Sequence, residues 1–158
     1  MGDPFLIAGK TTVRINGFFY NVAMTVFRED GEKHASEFPA NSVVPRLVDH
    51  IRKFGCEHIA DTVFRLDDFT ATEDDRLELR QWFAKALETV CRPGFQLPES
   101  WRKVLTGSDG QPILITSEHT LGLAYAIATM IRMIDGTLGE GTVERRRRPE
   151  NWSPECEL

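Results

Sequence analysis

Cysteine is scarce, with only Cys56, Cys91 and Cys156 in the chain, an odd number at spacings that suggest no disulfide framework. Free thiols suit a reducing compartment, so the expected location is the cytoplasm. Long apolar runs are missing as well. The longest, Leu121 to Ile134, is interrupted by Arg132 and falls short of the roughly twenty residues that a bilayer crossing needs. Met1 to Ala8 contains Asp3 and Pro4 and lacks a basic flank before an apolar stretch, so no secretory signal and no membrane contact are expected. There is no glycine-rich phosphate loop, dinucleotide fingerprint, serine elbow or paired zinc-ligand motif. That lowers the expectation of an enzyme, and no cofactor, metal or catalytic residue is assigned. Internal repeats are absent too.

What is abundant is acid. The chain has a formal net charge of −5. Between Glu57 and Glu78 stand Glu57, Asp61, Asp67, Asp68, Glu73, Asp74, Asp75 and Glu78, against only Arg65 and Arg76. This one stretch accounts for the acidity of a chain that is otherwise close to neutral. With 41% hydrophobic and 27% charged residues, the composition is that of a folded domain.

Thr11–Ile15 and Phe18–Phe27 flank Asn16-Gly17, a pair suited to a tight type I′ turn, and so read as a β-hairpin. That register sets Ile15 opposite Phe18, Val13 opposite Tyr20 and Thr11 opposite Val22, with Met24 and Val26 extending the face. Asp30-Gly31 supplies a second turn signal, and Lys33–Phe38 reads as a third, charged edge strand ending before Pro39. A helix capped by Asn41 or Ser42 follows, with Val44, Leu47, Val48, Ile51 and Phe54 as its stripe and Gly55 as its terminator. Thr62–Leu66 reads as a short strand. Thr72 with Asp75 opens a second main helix striped by Leu79, Phe83, Ala86, Leu87 and Val90 and ended by Arg92-Pro93-Gly94. Pro98–Leu105 is a short helix bearing Trp101, and Ile113–Ile115 is a short strand. Ser117 caps a last helix that is apolar on most sides and therefore central to the core, or else a homodimer seam. The expected class is α+β: one domain over residues 1–136, an antiparallel meander of three to four strands packed against three main helices on the face bearing Val13, Ile15, Phe18, Tyr20, Val22 and Val26. Residues 137–158, rich in glycine, arginine and glutamate, are expected to be a flexible, disordered tail.

His50, Cys56 and His58 come closest to a metal set, with Cys91 or Asp61 as a distant fourth ligand, but the spacing fits no common finger and ordinary packing is the better account. Cys91 with His119, or Glu118 with His119, would need convergence that spacing does not supply. The run Arg145–Arg148 invites a phosphate-binding reading. Glu144, Glu150, Glu155 and Glu157 cancel it, so no direct nucleic-acid contact is expected. The acidic stretch suggests a docking face of Asp67, Asp68, Asp74, Asp75 and Glu78 that enters a basic groove on a protein partner. The expected function is accordingly a non-catalytic protein-binding regulator or inhibitor. A phage or mobile-element counter-defence protein that blocks a basic nucleic-acid-binding surface would have this form. Two alternatives stay open. One is a small-molecule binder or enzyme with a pocket between sheet and helices lined by Phe19, Tyr20, Phe27, Trp82 or Tyr125. The other is a homo-oligomeric structural protein.

Overall fold

The computed structural model describes residues 2–54, 63–104, 110–111 and 116–156. Pro4 leads into β1 (Phe5–Ala8), and Gly9, at φ 56°, turns the chain into β2 (Thr11–Arg14). Only a residue without a Cβ adopts that left-handed angle cheaply. The hairpin therefore lies one strand earlier than Asn16-Gly17 implies. Asn16 is instead the N-cap of α1 (Gly17–Lys33), its side-chain oxygen accepting the Phe19 N–H at 3.2 Å. The expected strand Phe18–Phe27 and its register are thus replaced by helix. Asparagine serves both as a hairpin-turn residue and as a helix cap, and α1 is buried almost all round from Tyr20 to Phe27. A helix apolar on every side leaves no 3.6-residue stripe to read.

Asp30-Gly31 is not a turn either. Gly31 lies within α1, where a Cβ would collide with Val48 Cγ2, so its role is the close approach of α1 to α2 (Val43–Phe54). The expected third strand, Lys33–Phe38, is the end of α1 followed by a 3₁₀ turn at Ala35–Glu37. The forecast for α2 holds at Val44, Leu47, Val48 and Ile51, which are buried, but not at Phe54, which at the helix end is 63% exposed; its proposed terminator Gly55 lies outside the described residues.

β3 (Val63–Arg65) runs into a 3₁₀ turn at Leu66–Phe69 and then into α3 (Glu73–Cys91). Thr72 caps α3, its Oγ1 accepting the Asp75 N–H at 3.1 Å. α4 (Glu99–Val104) anchors Trp101, whose indole N–H donates to Thr25 Oγ1 at 2.8 Å inside the core. The expected strand Ile113–Ile115 lies outside the described residues. α5 (Ser117–Asp135) follows Thr116, which occupies the cap position expected for Ser117, and ends at Gly136, with φ 68°. It is buried from Gly122 to Met130 without a break, so its apolar girth is consumed within one chain. Gly122 leaves room for the Phe19 ring, and Phe27 stacks on Phe83 with centroids 4.1 Å apart at the centre of the core.

The segment expected as a loose tail enters the sheet. β4 (Gly141–Glu144) pairs in parallel with β2, Val143 opposite Val13. The class is α+β as expected, with a four-stranded sheet in the order β3-β1-β2-β4. The sheet is mixed, antiparallel at β1–β2 and parallel at β1–β3 and β2–β4, and so not a simple meander. Among the described residues no helix is long and apolar enough to cross a membrane.

Candidate interaction surface

The pleat divides the sheet into two unlike faces. Phe64, Leu6, Val13 and Val143 lie in one lateral row across all the strands and turn toward the helices. The alternate positions form the other face. One of its rows is Val63, Phe5, Arg14 and Glu144, and the next is Arg65, Ile7, Thr12 and Thr142. Val63 is 52% exposed, and Arg65, Thr142 and Glu144 are exposed. Phe5 and Ile7 are half-buried and stand outside the core cluster. The Arg14 guanidinium sits 5.7 Å from the centre of the Phe5 ring, and its Nε is buried with no hydrogen-bond partner.

At the end of this face a hollow of about 540 Å³ is lined by Asn16, Glu144, Arg146 and Arg147. Its walls follow from the arginine run. Alternation along β4 sends Arg145 inward, where its Nε donates to Thr129 Oγ1 at 3.1 Å and its guanidinium lies 4.6 Å over Tyr125. Arg146 points the other way and pairs with Asp3, with Glu144 at 3.7 Å. Arg148 meets Glu118 at 2.6 Å, and Trp152 packs edge-on against Tyr125 with centroids 5.1 Å apart. The basic run therefore straps the C-terminal segment to α5 and the N-terminus, and Arg147 alone of the four is exposed without a described partner.

The acidic residues singled out by sequence scatter into separate tasks. Both carboxylate oxygens of Asp67 accept the Gly9 N–H, at 2.9 and 3.0 Å, tying the β1–β2 turn to the 3₁₀ turn after β3. Glu78 Oε1 accepts the Val44 N–H at 3.0 Å, meeting one of the unpaired donors at the start of α2. Asp75 holds Arg46 at 2.6 Å. Burial pushes the Asp75 carboxyl upward, and hydrogen bonds from Arg46 and Thr72 outweigh it, leaving the group below the usual carboxylate range. Asp68 and Asp74 remain exposed on the surface.

The titratable residues weighed for catalysis do not converge among those described. His50 packs between Phe54, Phe64 and Phe69, at centroid distances of 4.6, 5.7 and 5.2 Å; Cys56, His58 and Asp61 lie outside the described residues. No three of the described His, Cys, Asp and Glu side chains approach as a metal set. Cys91 lines a groove of about 380 Å³ with Phe95, Leu121, Ala124 and Pro154. It is exposed overall, yet its sulfur lies low enough that burial pushes the thiol pKa up, away from the reactive thiolate. His119 Nδ1 faces the Thr116 N–H at 3.3 Å and Thr116 Oγ1 at 2.8 Å, which commits the ring to the start of α5. Of the aromatics proposed for a pocket, Tyr20, Phe27 and Trp82 are core, Phe19 fills the space left by Gly122, and Tyr125 lies under Arg145 and Trp152.

Burial holds the His50 pKa below its ordinary value, while the nearby Asp68 charge opposes the shift. The folded value lies under the unfolded one, so unfolded chains bind more protons between the two. Stability from this group is complete above about pH 6.5 and declines as pH falls through that window. In an NMR titration, Asp68→Asn should move the His50 midpoint further down. An upward or absent shift would show that Asp68 does not act on the ring.

The outward-facing strand residues escape sequence reading because β1 is four residues long and its FLIA run has no alternation to betray two faces. Pro4 and Gly9, which bound it, were the available signal. Comparison of the chain with known families, with curated proteins and with solved structures finds no match.

Proposed function

We propose that this chain is a non-catalytic protein-binding regulator whose contact surface is the open face of the sheet. The observation that carries the reading is that face itself: Val63, Phe5, Ile7, Thr12 and Thr142 form a patch over which no described helix packs. A sheet normally buries an apolar face against another layer, and a contiguous patch left open in a folded chain marks a site for another molecule. Acting as an inhibitor that blocks a basic nucleic-acid-binding surface, as a counter-defence protein would, is the narrower form of the proposal. That form rests on Asp68 and Asp74, the exposed members of the acidic set that no described hydrogen bond engages. The odd number and wide spacing of the cysteines favour the cytoplasm as the setting.

A photo-crosslinking side chain placed at Val63, Thr142, Asp68 or Asp74 in separate variants separates the two surfaces. Irradiation in the native cell should yield a defined protein adduct from Val63 and Thr142. Adducts from Asp68 and Asp74 alone would move the contact to the acidic surface, and none from any position would remove the protein-binding reading.

A further inference from the structure

Close ion pairs occupy six of the fourteen arginines among the described residues. Arg46, Arg52, Arg76, Arg80, Arg146 and Arg148 each hold a carboxylate at 3.2 Å or less. With Asp and Glu outnumbering Lys and Arg by 24 to 19, partners are plentiful. Yet Arg14 and Arg65, both on the open sheet face, hold none among the described residues. Glu144 is the lateral neighbour of Arg14, but its carboxylate is directed to Arg146 at 3.7 Å. Asp3, the other acid beside this face, is taken up by Arg146 and by the Gly17 N–H. Arg147 adds a third uncommitted guanidinium at the hollow beside Asn16. This face of an acidic protein thus carries arginines that no described carboxylate matches, around an apolar centre of Phe5, Ile7 and Val63.

We infer that this face takes an extended, acidic segment of a protein partner, with an apolar side chain resting on Phe5, Ile7 and Val63 and carboxylates meeting Arg14 and Arg65. The inference rests on the docking reading above and adds the chemistry of the partner. Guanidinium groups recognise carboxylates through paired, planar hydrogen bonds, and unmatched positive charge on a binding face selects the opposite sign. The spacing is constrained by the sheet. Arg14 and Arg65 stand two strands apart and one pleat repeat apart along the strands, so their Cα atoms are about 12 Å from each other. An extended segment spans that distance with acidic residues about three or four positions apart.

A nucleic acid fits less well. The net charge of −5 repels a phosphate polymer at long range. Among the described residues of the face the one aromatic ring, Phe5, already lies beside the Arg14 guanidinium instead of offering a free stacking surface.

The test is selection from a displayed library of random peptides of about twelve residues on the immobilised full chain, the length of segment that recognition modules of this size engage. Enriched peptides should combine Asp or Glu with aliphatic residues, and should lose affinity at least about tenfold toward Arg14→Glu/Arg65→Glu and on raising salt to about 0.5 M. Circular dichroism melting checks that the variant folds, and Arg65→Glu alone, at an exposed position, is the fallback. Enriched peptides without an acidic excess that are lost on Val63→Glu would overturn the acidic class and leave the docking face standing. Peptides indifferent to all these variants, or no enrichment, would overturn both. A single-stranded oligonucleotide that displaces the peptides and loses affinity on arginine reversal would overturn the inference in favour of nucleic acid. A dimer in light scattering that Arg65→Glu dissociates would do so in favour of a second copy of this chain.

Discussion

Deleting residues 139–158 is expected to lower the unfolding free energy by about 3 kcal/mol, read as a fall in the urea midpoint, where loss of a loose tail would change it by less than about 0.5 kcal/mol. The deletion removes the whole of β4, including the Gly141 and Arg145 N–H donors that bond Lys10 and Arg14 carbonyls at 3.2 and 3.0 Å. It strips Val143 from the inward row of the sheet and Trp152 from the Tyr125 ring. It also takes away the Arg145 bond to Thr129 and the Arg148 pair with Glu118. A half-buried tryptophan and valine contribute about 2 kcal/mol together, and the part-buried charge-assisted bond about 1 more, while the ion pair of exposed Glu118 adds little. The strand-ladder bonds offset the cost of ordering the segment, which leaves the expected loss near the sum of these contacts. The truncated chain also bares the edge of β2, so its solubility should fall with the stability.

The same segment shows why composition misleads here. Four consecutive arginines with glycines and glutamates describe a chain that cannot build a core, and β4 does not build one. It borrows one, since β2 supplies the ladder and α5 supplies Tyr125 and Thr129 as seats for Arg145. Nothing local to residues 137–158 signals that help. Helices α2 and α3 were legible because one stripe of each is buried and the other is wet, and because Thr72 is an unambiguous cap. α1 was not, since tertiary burial on all sides erased its period and Gly31 serves α2, not a turn. The open sheet face was hidden for a related reason. Arg14 and Arg65 are 51 positions apart in the sequence (65 minus 14), and only the pairing of both strands with β1 puts them on one surface. Local charge does not reveal which carboxylates and guanidiniums are already committed to partners elsewhere in the fold.

That commitment gives the second large effect. The triple variant Asp67→Asn/Asp75→Asn/Glu78→Gln is expected to lose about 2 to 3 kcal/mol, since each carboxylate accepts a charge-assisted hydrogen bond worth about 1 kcal/mol where it is partly buried, as at Asp75 and Glu78, and less at exposed Asp67. They act at two joints, Asp67 on Gly9 and the neighbouring pair Asp75 on Arg46 and Glu78 on the Val44 N–H between α2 and α3, so the Asp67 effect should add to that of the pair. The contrasting variant Asp68→Lys/Asp74→Lys alters exposed positions and should stay within about 0.5 kcal/mol of the parent. Acid titration of stability sharpens the comparison. With the Asp75 carboxyl held low in the folded state, its contribution is present above the ordinary carboxylate pKa of about 4 and is lost as pH falls through the folded value. Asp75→Asn alone should therefore flatten the decline in stability below about pH 4, because the group whose protonation breaks the Arg46 bond is gone. Should the triple variant prove as stable as the parent, these bonds would add nothing net to the fold. The acids would then be free to serve a partner. If instead it unfolds early and Asp68→Lys/Asp74→Lys does not, the negative stretch is first of all a set of struts holding β1, α2 and α3 together.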